Sequence, residues 1–275
     1  KVVCLLLALV MLLGLVACAS NTAPATEKTE STTTEETKTE ETKTEDPAPA
    51  EETTGEKMYI PVMAKGFQHQ FWQAVAAGSA AAAEDYNVDI YFDGPAPETE
   101  IDAQVNMVKN ELAKNPKAMA LAALSTEAVT EILEECAEKN IPVIGFDSGV
   151  PGAPEGAVLA NAATDNYAAG ALAAEKMYDK IKDQLANPAG PVRIGVVSQE
   201  ANSDSIVQRT AGFVEKMSEL IGEDKCSVEG HDKFARKVDG VNIVMEVRVP
   251  AEVTDNAGKT EALALLNKDD LIAIY

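Results

Sequence analysis

Residues 65–75 read KGFQHQFWQAV and follow a short apolar run, Met58–Ala64, that is typical of a buried strand. The small-residue segment that comes next, Gln70–Tyr86, has the spacing of a helix. Between strand and helix lies a polar loop with Gln68 and His69, and two aromatic residues stand where the helix begins. In open α/β sheets ligands bind at such junctions. We therefore predict that this stretch forms one wall of a small-molecule cleft.

From residue 57 onwards, strand-like and helix-like segments alternate with short loops between them. This alternation predicts an α/β fold with parallel sheets. Periodicity alone leaves a closed β/α barrel open as an alternative. A segment rich in Pro and Gly at 150–165 interrupts the alternation and favours two Rossmann-like lobes, which we expect at 57–163 and 164–275.

The first 56 residues differ in composition from the rest. Residues 1–17 are one lysine followed by an apolar run, shorter than a comfortable membrane span of about 20 residues, and are typical of a secretory signal. The run LVACA at 15–19 resembles a bacterial lipoprotein box, which implies a lipid on Cys18; an ordinary signal with an incidental cysteine is the alternative. Residues 18–56 are dominated by Thr, Glu, Lys, Pro, Ala and Ser, so we expect a disordered tether.

Charge and motif content exclude several classes of function. The net charge of the chain is −22. Residues 1–56 contain 4 Lys and 11 Asp or Glu and so contribute −7, which leaves −15 for residues 57–275. A nucleic-acid partner is therefore not expected. Beyond Cys18 the cysteines are Cys136 and Cys226, far apart in sequence, which predicts neither a disulfide nor a metal site. We find no nucleotide-binding, hydrolase or metalloprotease motif, and expect no cofactor and no enzyme activity.

Five stretches, taken together, carry a family resemblance. They read KGFQHQFWQAVAAG at 65–78, GPAPET at 94–99, IPVIGFDSGVP at 141–151, ATDNYAAGALAAE at 163–175 and RTAGF at 209–213. In this order and spacing they resemble the periplasmic sugar-binding proteins of the ribose and galactose type, the substrate-binding lipoproteins of ABC transporters. The resemblance covers roughly residues 57–275.

The resemblance implies two lobes that close on a sugar like a hinged clamp. It further implies a monomer, lipid-anchored outside the cytoplasm, that delivers the sugar to an ABC transporter permease. Two alternatives stay open: a binding protein that reports to a chemoreceptor or sensor kinase, and a surface hydrolase on an α/β scaffold. Carried over by position, the ligand residues are His69, Phe71, Trp72, Asp147, Ser148 and Arg209, with Lys65 and Gln68 at the edge of the cleft. Thr164, Asp165 and Asn166 form the hinge and a helix cap.

Two departures from the ribose-type pattern limit what the resemblance implies about specificity. Ser148 stands where that pattern has an arginine after the aspartate, and Ala122 stands where it has an asparagine. Pentose specificity is therefore not carried over. The family's remaining ligand residues correspond to positions after residue 275, so we expect a C-terminally truncated chain.

The two adjacent aromatic residues are candidates for the slab that packs against the CH face of a sugar. Phe71 shares a predicted helix face with Val75, Gly78 and Ala82, so packing on the sheet is an equal alternative for its ring. Trp72 lies about 100° away from that face, which favours the cleft.

The charged and polar candidates also have simpler structural interpretations that involve no ligand. Asp147 could be a turn former after its strand. Arg209 could form a surface ion pair with Asp204 or Glu215, and His69 could be a solvated loop residue.

Overall fold

The computed structural model of the protein describes residues 56–275. The predicted signal segment 1–17, the lipid site Cys18 and nearly all of the predicted tether lie outside the described residues. Among residues 56–275 no helix combines the length and the apolar character needed to cross a membrane.

The first sheet has five strands, and three helices connect the first four of them. The strands are β1 (Tyr59–Met63), β2 (Asp89–Asp93), β3 (Met119–Leu121), β4 (Val143–Phe146) and β5 (Val158–Ala162), and the helices are α1 (Gln70–Asp85), α2 (Ile101–Leu112) and α3 (Thr130–Glu138). All neighbouring strands are parallel, in the order β2-β1-β3-β4-β5.

The second sheet has four strands. They are β6 (Val192–Val197), β7 (Cys226–Gly230), β8 (Ile243–Arg248) and β9 (Leu271–Ile274), and the helices are α4 (Asn166–Ala186), α5 (Asp204–Ile221) and α6 (Asp255–Leu266). These strands are also parallel, in the order β7-β8-β6-β9. Two open parallel sheets confirm the predicted α/β fold, and the closed barrel is excluded. We call β1–β5 with α1–α3 the first lobe and α4–β9 the second lobe.

Each lobe has its own hydrophobic core. In the first lobe α2 and α3 pack on the sheet, and Cys136 of α3 lies within this core. Burial raises the pKa of the Cys136 thiol to about 11, so the group stays protonated at neutral pH. In the second lobe α4 and α5 cover the sheet, and Phe213 and Met217 are fully buried there.

Helix α1 is confirmed, but the prediction of which of its faces lies on the sheet is wrong. Phe71 is 47% exposed, and Gly78 and Ala82 are exposed as well, whereas Trp72 is only 2% exposed. The buried face is therefore rotated by about one residue, or 100°. The reason is that seven of the 16 residues of this helix are alanines, and few polar side chains mark its solvent side.

The helices α4 and α5 approach each other closely at two glycines. A Cβ atom on Gly170 would lie 2.0 Å from the carbonyl oxygen of Arg209, and a Cβ atom on Gly212 would lie 2.1 Å from that of Tyr167. Only glycine permits backbones to come this near. The contact places Arg209 next to Asn166, the first residue of α4.

Candidate functional site

A cleft of about 1300 Å³ lies between the two lobes, at the carboxyl ends of the parallel strands. Seven of the eight predicted ligand residues line it, and the exception is Ser148, which is fully buried. Of the predicted hinge residues, Thr164 lines the cleft, and Asp165 and Asn166 do not. The sequence therefore predicted most of one wall, whereas the opposite wall contains residues that it missed.

His69 caps the first helix. Its Nδ1 atom accepts a hydrogen bond from the Phe71 amide at 3.2 Å. An accepting Nδ1 in a neutral imidazole requires the proton on Nε2, so this ring has one N–H left to donate. His69 and Gln68 are exposed on the cleft wall.

The two aromatic side chains form an edge-to-face pair, with ring centroids 4.8 Å apart and an interplanar angle of 76°. Trp72 is buried and donates from Nε1 to Glu98 Oε1 at 2.7 Å. Phe71 presents its ring to the cleft. Trp72 lines the cleft but exposes only 2% of its surface, because its ring packs in the lobe and its N–H donates to Glu98, so the more open ring is that of Phe71.

Lys65 lies at the floor of the cleft and not at its edge, where the sequence predicted it. Only 4% of its surface is exposed, and its Nζ is 2.9 Å from Asp147 Oδ2. Asp147 has a φ of +57°, a left-handed backbone that is uncommon for a residue other than glycine. Such conformations cost about 1–3 kcal/mol and cluster at functional sites.

Arg209 donates a hydrogen bond from Nη2 to Asn166 Oδ1, and Asn166 in turn donates to the carbonyl oxygen of Thr164 at 3.0 Å. The alternative ion pairs predicted for Arg209 do not form, since Glu215 instead accepts from Tyr167 and no carboxylate within 56–275 pairs with the guanidinium. Arg209 therefore keeps N–H groups for the cleft.

Asp165 acts as the predicted N-cap, since its Oδ1 accepts from the Ala168 amide at 2.9 Å. Among the described residues no cluster of His, Cys, Asp or Glu has the arrangement of a metal site.

Comparison with known families agrees with this geometry. A family model described as the periplasmic binding protein domain matches residues 60–275. The chain belongs to the periplasmic binding protein family. Its two open sheets are the type I architecture of that family, as the resemblance implied. A search of curated proteins gave no match.

Two solved structures are similar to the chain in fold and in sequence. An ABC transporter, LacI family transcriptional regulator from Brachyspira murdochii is 36% identical, with a TM-score of 0.60 over 80% of this chain and 65% of that one. An ABC transporter solute-binding protein from Agrobacterium vitis with bound D-fucose is 28% identical, with a TM-score of 0.62 over 78% of this chain and 66% of that one. The chain thus spans about two thirds of the length of both proteins.

The sequence missed several residues of this periplasmic binding protein's cleft. Glu98 stands between the lobes, accepting from Trp72 with one oxygen and from Gln199 Nε2, at 3.3 Å, with the other. The loop before α6 adds Glu252 to the second wall, and the start of α6 adds Asp255 and Lys259. The signal for Glu98 was the GPAPET stretch, whereas α6 carries only a common capping pattern at Thr254.

Proposed function

We propose that this chain is an extracytoplasmic solute-binding protein that captures a sugar or sugar-like molecule between its lobes and delivers it to an ABC transporter permease. The observation that carries the proposal is one cleft that opposes an exposed aromatic ring, Phe71, to an arginine with free donors, Arg209. A sugar has an apolar CH face and a rim of hydroxyls, and needs both kinds of group. The D-fucose in the Agrobacterium vitis protein supports this class of ligand.

Within the cleft we assign the polar contacts by their free hydrogen-bonding capacity. Arg209 and the Nε2–H of His69 donate to sugar oxygens, Gln68 lies beside them, and Asp147 accepts from a hydroxyl. Ser148 is behind Asp147 and contributes through it. Thr164 to Asn166 form the hinge at the first crossover. Binding energy closes the lobes and breaks no bond.

The anchor and the tether belong to the same proposal. A lipid on Cys18 would hold the protein at the outer side of the membrane, and residues 18–56 would give the lobes, at 57–163 and 164–275, room to reach the permease. The protein would act as a monomer. Replacing Cys18 with Ser should move it from the membrane fraction to the soluble fraction, and retention of Cys18→Ser in the membrane would overturn the anchor.

A thermal-shift screen of the protein against sugars, polyols and cyclitols tests the ligand class, followed by calorimetry on each hit. We expect a neutral sugar to raise Tm, and we expect Phe71→Ala to weaken its binding about tenfold through lost apolar contact. Tyr86→Ala is the matched control, because Tyr86 is an exposed aromatic residue at the other end of α1, outside the cleft.

Two results would contradict the proposal. One is a screen in which only solutes without hydroxyl groups raise Tm. The other is conversion of a bound sugar to product during incubation, which would support the hydrolase alternative.

A further inference from the structure

A ring of polar side chains, buried except for the half-buried Asp147, joins the two lobes at the floor of the cleft. From the first lobe, Lys65 donates across the cleft to Ser203 Oγ at 3.3 Å and to Ser205 Oγ at 3.1 Å. Ser205 Oγ returns to the first lobe, 2.8 Å from Ser148 Oγ, and Ser148 donates to Asp147 at 3.4 Å. The 2.9 Å contact between Asp147 and Lys65 closes the ring. We call these five residues the floor ring.

The floor ring uses every donor that Lys65 has. An ammonium group carries three N–H bonds, and its three acceptors here are Asp147, Ser203 and Ser205. Among the described residues, no buried side-chain nitrogen or oxygen lacks a partner. Opening the lobes would remove two of the three acceptors and return the ammonium to water. The closed arrangement thus has a specific polar contact that the open one lacks.

The second lobe is arranged to receive a cation. Ser203 donates its hydroxyl hydrogen to buried Glu200, which also accepts from the Ser203 amide at 3.0 Å, so the oxygen of Ser203 is free to accept from Lys65. A cation at the start of α5 would be repelled by the helix dipole, and the Glu200 carboxylate offsets that repulsion. Gly149 permits the close fit, since a Cβ atom there would lie 2.9 Å from Asp204 Oδ2.

We propose that the floor ring is a latch that holds the lobes together when no solute is bound. It sets the equilibrium between closed and open forms of the empty protein, so solute entry requires the latch to break first. Of its three bonds between the lobes, the two that Lys65 donates are charge-assisted and buried, and such bonds are stronger than neutral ones. The latch does not depend on which solute the cleft takes.

The test is hydrogen exchange by mass spectrometry on the solute-free full chain with Ser205→Ala. The readout is the segment 145–150, which lies in the other lobe and holds protected amides, such as that of Asp147 to Ala162 at 3.0 Å. We expect its exchange to become about tenfold faster, since the charge-assisted bond from Lys65 and the bond to Ser148 are both lost. Ser218→Ala is the matched control, because that buried serine of α5 donates to Val214 of its own helix at 2.8 Å and is not part of the floor ring.

The proposal is overturned if Ser205→Ala speeds exchange only at the start of α5 and leaves 145–150 as in the control. Lys65→Met provides the converse experiment, with faster exchange expected at 203–207 in the second lobe, and an unchanged rate there would also overturn the latch. Small-angle scattering should show a larger radius of gyration for both variants. None of these measurements uses a sugar, so their failure is distinguishable from failure of the proposed function.

Discussion

The two helical walls of the cleft are held in place in different ways. Along α1 the only fully buried residue is Trp72, and Gly78 faces open space. Helix α5 buries seven residues and meets α4 through backbone contacts at Gly170 and Gly212. One wall therefore depends on a single side chain, and the other on close helix packing. We therefore expect the same type of substitution to change the stability of the protein in opposite directions in the two walls.

The largest effect is expected for Trp72→Ala. The substitution empties the site that attaches α1 to the sheet and should lower the free energy of unfolding by about 3–5 kcal/mol. Thermal or denaturant unfolding measures this loss. Trp72→Phe, which keeps most of the packing but lacks the N–H that Glu98 accepts, should cost clearly less. A Trp72→Ala protein of unchanged stability would show that the first wall does not depend on this ring.

The second prediction compares the effect on stability of one glycine-to-alanine substitution in each wall. Gly212→Ala places a Cβ atom 2.1 Å from the Tyr167 carbonyl oxygen and should destabilise the protein by about 1–3 kcal/mol through overpacking. Gly78→Ala, in the open part of α1, should instead stabilise it by about 0.5–1 kcal/mol, since alanine favours helix. The unfolding midpoints of the two variants measure these changes. Equal shifts in both would contradict the proposed difference in packing between α5 and α1.

The smallest effect concerns the sheet beneath the second wall. Glu246 of β8 is buried among Lys268, Arg248 and Arg193. Burial by itself would raise the pKa of this carboxyl, but the bonds from Lys268 and Arg248 outweigh it and hold the pKa below its usual value of 4.5.

A lowered carboxyl pKa contributes stability above its unfolded value that is lost as the pH falls through the folded value. Glu246→Gln should therefore lower Tm at pH 7 by about 2–4 °C, for a loss of about 1 kcal/mol. The difference from the wild type should shrink as the pH falls below 4.5 and vanish once the pH is below the lowered pKa of Glu246. A difference that persisted undiminished in acid would contradict this assignment. Glu135→Gln, on the exposed surface of the first lobe, is the matched control.

Much of the fold followed from local patterns, and the misses have physical causes. Strand β7 was not predicted because it is an edge strand with only Cys226 and Val228 buried, too few for a clear alternation. The burial of Lys65 was missed because a lysine after a strand is usually solvated. Its acceptors Ser203 and Ser205 lie about 140 residues further along the chain, and no local pattern connects them.

By itself the sequence determined the α/β class, the two series of strands and the stretches that end at the cleft, because strand and helix periodicities and strand-end polar residues are local properties. It also determined that Phe71 and Trp72 stand at a helix start. Only the tertiary structure decided which ring faces the cleft, since a rotation of about 100° depends on where Glu98 offers an acceptor. Only the tertiary structure likewise showed that Lys65 is buried in a contact between the lobes. A buried cation needs hydrogen-bond acceptors, and folding brings those of Lys65 together from distant parts of the chain.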